Sequence, residues 1–245
     1  MKRMIRMAVM MTALMTPFGA MAQDKVEATL SADVVSRYIW RGQDFGNVAV
    51  QPAAGISWKG LSLSAWGSYG LTPSTDTNIS TRELDFTLGY TIGGLNLGLT
   101  DYFCITDGSD PKYFYFEEGG SHVLEANIGY DFGFASVQWY TNINGTPARY
   151  VDGDGKLKAG FASYLEISAP FRLGGLDWEA QVGIVPFDSK GFYADADGFA
   201  VTVASLKVEK ELNITPTFKL PIFGQLVANP STQRFYFVLG CSLGI

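Results

Sequence analysis

The chain has 245 residues, with 18 Lys plus Arg against 24 Asp plus Glu, one His and a formal charge of −6. With 47% hydrophobic and 17% charged residues it is neither a disordered tail nor a collagen-like repeat, and two Cys rule out a disulfide scaffold. A pI near 4.8 excludes nucleic acid as a partner, because an acidic surface repels phosphates.

Lys2, Arg3 and Arg6 precede an apolar run from Met7 to Met15, which Pro17 and Gly19 interrupt. Ala20-Met21-Ala22 then fits the small-x-small cleavage rule, so residues 1–22 read as a secretory signal peptide cut before Gln23. No Cys follows the cut, which excludes a lipoprotein signal. The run is too short to span about 30 Å of hydrocarbon. Residues 23–245 are left as the exported barrel.

From there the chain alternates with period two. Glu27 to Arg41 reads as a first strand, and Ile56 to Tyr69 as a hairpin turning at Lys59-Gly60. Arg82 to Ile92 is the clearest case: Leu84, Phe86, Leu88, Tyr90 and Ile92 share one face, and Glu83, Asp85, Thr87, Gly89 and Thr91 the other. After Gly93-Gly94, Leu95, Leu97 and Leu99 continue the apolar face on a returning strand. The same unit recurs in Leu124 to Tyr140 (turn near Gly133), Phe161 to Val185 (turn at Gly174-Gly175) and Val201 to Ile222 (turn near Asn213). Arg234 to Ile245 supplies the last strand, which ends in Ile rather than an aromatic residue.

Longer polar segments separate these units, at 42–47, 71–80, 106–119, 143–159, 188–197 and 224–232. Short turns on one side and long loops on the other predict an all-β fold, a 12-stranded antiparallel up-and-down transmembrane β-barrel with both termini at the short-turn, periplasmic side. Aromatic positions support membrane burial over a soluble sandwich. Phe161 and Phe171 share a face ten residues apart, a rise of about 25 Å for a tilted strand. Trp58, Tyr90, Tyr130 and Trp178 fall near the short turns, and Tyr38, Trp40, Tyr69, Phe103 and Trp139 near the long loops, as two interfacial girdles.

The stretch Asp33 to Gly42, with Tyr38-Ile39-Trp40-Arg41-Gly42 at its end, then Ala49 to Ala53 and Leu63 to Tyr69, resembles the start of the TorF-like porin family of Gram-negative outer-membrane proteins. Beyond Tyr69 only the architecture is shared. The resemblance implies an outer-membrane location and passive transport.

Parity assigns nine acids to the barrel interior: Glu27, Asp33, Glu83, Asp85, Glu125, Asp131, Glu166, Asp177 and Glu179. Three bases share it, Arg37, Lys219 and Arg234. An open lumen with that balance prefers cations; carboxylates paired across a filled interior make instead a plugged scaffold. Asp101 falls on the lipid face unless a bulge near Thr100 shifts the parity, and the phase change near Ser205 leaves Lys207 and Val208 undecided.

Other chemistry is sparse. A Ser-His-acid site has to use His122, which parity turns outward, and no matching Ser and acid stand at a telling spacing. Asp152 to Lys156 lacks the further ligands of a calcium loop and reads as a turn, and Cys104 and Cys241 are too far apart on a barrel to pair. No cofactor and no metal site is expected. The resulting expectation is a non-enzymatic, porin-like passive channel for small hydrophilic or cationic solutes, with loops 107–118 and 144–158 narrowing its mouth. Tyr113 to Phe116 either stack on a ring-shaped ligand or pack their loop back into the barrel. Outer-membrane lipid and the barrel-assembly machinery complete the expected partners. The alternatives are a lipid-modifying enzyme centred on His122 and a non-conducting structural or adhesion barrel.

Overall fold

A computed structural model describes residues 25–74, 78, 80–106, 111–117, 119–145, 148–193 and 196–244. The signal peptide expected over 1–22 lies outside them. The described residues form sixteen strands in chain order: β1 (Glu27–Val35), β2 (Tyr38–Trp40), β3 (Gln43–Gly46), β4 (Ala49–Trp58), β5 (Leu61–Gly70), β6 (Thr81–Ile92), β7 (Leu95–Thr106) and β8 (His122–Asp131). Then come β9 (Ser136–Asn144), β10 (Arg149–Val151), β11 (Leu157–Ala159), β12 (Ser163–Leu173), β13 (Leu176–Val185), β14 (Ala200–Asn213), β15 (Lys219–Asn229) and β16 (Arg234–Gly244).

Twelve of these close into one antiparallel barrel, in which β1 pairs with β4 on one side and with β16 on the other. The remaining four form two small hairpins inside loops, β2 with β3 and β10 with β11. Closure pairs both edges of every wall strand, the condition for β-structure in hydrocarbon. Tight turns join strands at one end. Lys59-Gly60 and Gly174-Gly175 put both residues at positive φ, which matches the right-handed twist of the strands they join.

Side-chain direction follows the period-two reading over nearly the whole wall. Along β6 Thr81, Glu83, Asp85 and Thr87 are buried while Leu84, Phe86, Leu88, Tyr90 and Ile92 are exposed on the outside. Phe235, Phe237, Leu239 and Leu243 continue the apolar belt on β16. Trp178 stacks on Phe171 at the turn end, 6.1 Å between ring centroids. The apolar outer face and polar inner face define a transmembrane barrel.

Four details differ from the sequence reading. The first barrel strand ends at Val35, and residues 38–46 form the hairpin β2–β3 instead of a strand end and a loop. Tyr38 and Trp40 therefore leave the expected girdle and enter the interior, where Tyr38 is buried. β12 starts at Ser163, and Phe161 sits before it at φ +47, so the parity linking Phe161 to Phe171 does not run through continuous strand. β15 extends to Asn229, which turns Gln225, Val227 and Asn229 from loop into wall.

Bulges occur at Leu124/Glu125 and at Gly183/Ile184, whereas the β6–β7 and β7–β8 registers run unbroken through Thr100. Asp101 accordingly faces outward. The bulge opposite Gly183 shifts β14 by one residue, which explains the phase change near Ser205 and turns Lys207 inward.

Candidate functional site

The interior divides into two halves. Toward the turns many inward residues are polar and partly accessible, among them Ser57, Ser62, Ser64, Ser136, Gln138, Ser168, Gln181, Ser205 and Gln225, while Asn96, Lys207 and Phe223 are buried there. They bond among themselves, Ser136 with Ser168 at 2.9 Å and Ser205 donating to Gln181 at 3.1 Å. Toward the loops the inward residues are sealed. Gln51, Glu125, Asn142, Tyr164, Thr202 and Asn229 are each exposed by 1% or less.

The hairpin β2–β3 fills that half. Trp40 pairs with Gln43 around Arg41 and Gly42, whose φ values of 49° and 81° make a two-residue turn. At Gly42 a Cβ would run into the Thr202 carbonyl, and Asn229 Nδ2 donates to the Gly42 carbonyl at 3.0 Å. Arg41 has no such freedom, and its left-handed backbone costs roughly 1–2 kcal/mol. The tip thus rests on β14 and β15 and sends its guanidinium to the opposite wall.

There Arg41 Nη1 and Nη2 donate to the two Glu125 carboxylate oxygens, at 2.5 and 2.8 Å. Nη1 also donates to the Tyr193 hydroxyl at 2.5 Å, and that hydroxyl donates on to Glu125 at 3.3 Å. Tyr102 donates to the same carboxylate at 2.9 Å. The guanidinium carbon stands 4.6, 4.3, 4.6 and 5.6 Å from the ring centroids of Trp40, Tyr140, Tyr164 and Tyr193. A buried charge pair costs several kcal/mol per ion in desolvation, which the fork-to-carboxylate geometry and the ring faces offset.

Tyr193 comes from the segment joining β13 to β14, folded inward by Ser189. The Ser189 hydroxyl accepts from the Tyr193 N–H at 3.1 Å and donates to the Ala196 carbonyl at 2.9 Å. Elsewhere on the hairpin, Tyr38 donates to Glu83 at 2.6 Å, and Ser74 donates to Asp44 at 2.5 Å. Lys207 forms a second charge cluster nearer the turns, 3.1 Å from Glu209 and 5.1 Å above the Phe223 ring.

Glu83, Asp85, Glu125 and Glu166 are buried on the inner wall, and Glu179 faces inward half-buried. Asp131 and Asp177 lie at the turn rim, where Asp131 accepts the Gly133 N–H at 2.7 Å and Asp177 meets Arg172 at 3.3 Å. Arg37 lies 3.8 Å from Asp44 within the first loop. Lys219 pairs with Glu211 at the turn rim, and Arg234 is exposed at the loop rim. Sequence reasoning missed Arg41, because it assigned that residue to a strand end instead of the turn of an inserted hairpin.

His122 does face outward but is covered. Its Nδ1 lies 2.9 and 3.0 Å from the Asp101 carboxylate oxygens, and its Nε2 lies 2.6 Å from the Tyr113 carbonyl. Phe116 stacks on the ring at 4.2 Å. Tyr113 packs on Phe86 and Phe103, so residues 113–116 lie on the outer wall. They do not fold into the barrel, and the described part of that loop does not narrow the mouth. The narrowing comes from the hairpin β2–β3 and from Phe192 and Tyr193, with Ala148 of the 144–158 loop packed beside them. An acid–His pair exists, but the nitrogen a nucleophile would need is committed to a backbone carbonyl.

Asp152 accepts the N–H groups of Asp154 and Lys156 at 3.0 and 2.9 Å. Its hydrogen bond with the Lys158 ammonium, ahead of those backbone contacts, holds its carboxyl below the usual carboxylate range. Cys104 and Cys241 are both free thiols.

No protein-family model matches the chain, and no curated protein does. Among solved structures it is similar to the KdgM porin, with 6% identity, a TM-score of 0.42, and coverage of 87% of this chain and 97% of that one. It is also similar to the NanC porin, with 10% identity, a TM-score of 0.44, and coverage of 88% and 97%. The barrel assignment therefore rests on the chain's own strand pairing.

Proposed function

We propose that the protein is an outer-membrane, porin-like passive channel for small hydrophilic solutes, with a preference for cations. One observation carries the reading: polar, partly accessible side chains line the turn half of the lumen, and the loop half is filled by a hairpin held through side chains. In this reading solutes enter from the periplasmic end, and the hairpin is the removable obstruction. The resemblance of residues 33–69 to TorF-like porins supports the same function, with insertion by the barrel-assembly machinery into outer-membrane lipid.

Cation preference follows from the acids that remain in excess. Asp33, Glu83, Asp85, Glu125, Glu166, Glu179 and Glu209 point inward, against Arg41 and Lys207 on the inner wall and its inserted turn. Fixed carboxylates in a narrow channel attract cations and exclude anions. The test is single-channel conductance of the refolded protein in planar bilayers under a salt gradient. Small steps with a cation-selective reversal potential are expected, and anion selectivity would overturn the preference. Silence of the wild type and of hairpin-deleted protein alike would overturn transport. It would favour the non-conducting barrel, for which the sealed loop half is the specific observation.

A further inference from the structure

The parts that hold Arg41 belong to two different bodies. Glu125 stands on β8, Tyr140 on β9 and Tyr164 on β12, all fixed in the barrel wall, with Tyr193 added from the segment between β13 and β14. The guanidinium arrives on a separate hairpin. The wall is thus a receptor, and the side chain is its ligand.

The receptor has the chemistry for a planar cation. A carboxylate accepts two parallel N–H bonds from one edge, and tyrosine faces stand within 4.3 to 5.6 Å of the guanidinium carbon. It also offers more than Arg41 uses. Asn142 lies directly across from Glu125 in the β8–β9 register and is 1% exposed, yet neither its amide oxygen nor its amide nitrogen has a hydrogen-bond partner among the described residues. The hydroxyl of Tyr164 and Nε of Arg41 are likewise without one. The turn that delivers Arg41 is held at a positive φ that a non-glycine residue adopts at a cost. A ligand free of the chain would not carry that strain.

We propose that this cage is a binding site for guanidinium-type cations, with Arg41 as its intramolecular occupant, and that a competing cation of that shape releases the hairpin from the lumen. The release opens the pore only if the channel reading above holds; binding does not depend on it. Tethering gives Arg41 a high effective concentration, so a free competitor needs roughly a hundredfold more concentration against the wild type than against a chain lacking the side chain.

The test uses the full mature chain in detergent micelles, with methylguanidinium chloride as the probe. Arg41→Ala empties the cage and leaves its wall intact. Calorimetric titration should show saturable methylguanidinium binding to Arg41→Ala and a rise in its melting temperature. Sodium at equal ionic strength should give neither, and Arg41→Ala combined with Glu125→Gln should lose both. A response equal to that of sodium, or one surviving Glu125→Gln, overturns the site. Should Arg41→Ala fail to fold, Arg41→Lys keeps the charge and removes the fork. Methylguanidinium must then compete at lower concentration than in wild type, and equal competition overturns the proposal. In bilayers, Arg41→Ala steps should exceed wild-type steps and shrink on adding methylguanidinium. Silence of Arg41→Ala and of hairpin-deleted protein, with binding intact in Arg41→Ala, would refute transport and leave the site standing.

Discussion

Asp101 and His122 show how one residue's surroundings escape a one-dimensional reading. Both face outward by parity, and the register places Asp101 opposite Leu124 and His122 opposite Phe103, which makes them diagonal neighbours on adjacent strands. Their separation of 21 positions in the chain hides that relation. The pair anchors residues 113–116 against the outer wall through the Tyr113 carbonyl. Asp101→Ala removes the Nδ1 partner and should cost about 1–3 kcal/mol locally. Limited chymotrypsin digestion should then cut faster at Tyr113 to Phe116 with the barrel's melting unchanged. An unaltered cleavage rate would show that the loop is held by its aromatic contacts alone.

Among the elements, the hairpin β2–β3 carries the largest departure from expectation. Tyr38-Ile39-Trp40-Arg41-Gly42 alternates well enough to extend the first strand, and nothing local says that the chain leaves the wall after Val35. Arg-Gly at the turn was the available signal, since a two-residue turn with both φ values positive favours glycine in second place. Gly42 also seats the hairpin against Thr202. Gly42→Ala should therefore displace the tip and enlarge the conductance, together with greater quenching of tryptophan fluorescence by acrylamide. Unchanged steps and quenching would show that the tip has room to shift without leaving the lumen.

On the scale of the whole barrel, stability depends on which solvent each face meets. Leu88 lies in the middle of β6 and faces outward, paired with Leu63 and Leu99. Leu88→Arg should cost about 2–4 kcal/mol at the bilayer midplane. Ser64→Asn, on the accessible inner face, should stay within about 0.5 kcal/mol. Reversible urea unfolding in lipid vesicles measures both, and equal penalties would mean that the outward belt is not in hydrocarbon.

The count of wall strands, the short turns and the facing of nearly every wall residue were legible in the sequence, because period two is a property of local backbone geometry that each residue carries by itself. The burial of Glu83, Asp85, Glu125 and Glu166 followed from the same parity. What filled the space between those walls was not legible. Whether Arg41 meets Glu125, 84 positions away, depends on barrel closure and on the path of a loop with no periodicity to read. Lys207 needed a bulge to be located on the partner strand before its direction could be known. The sequence by itself determined a barrel with a polar interior. Only the tertiary structure decided that half of that interior is occupied, because occupancy is set by contacts between side chains that the chain brings together from far apart.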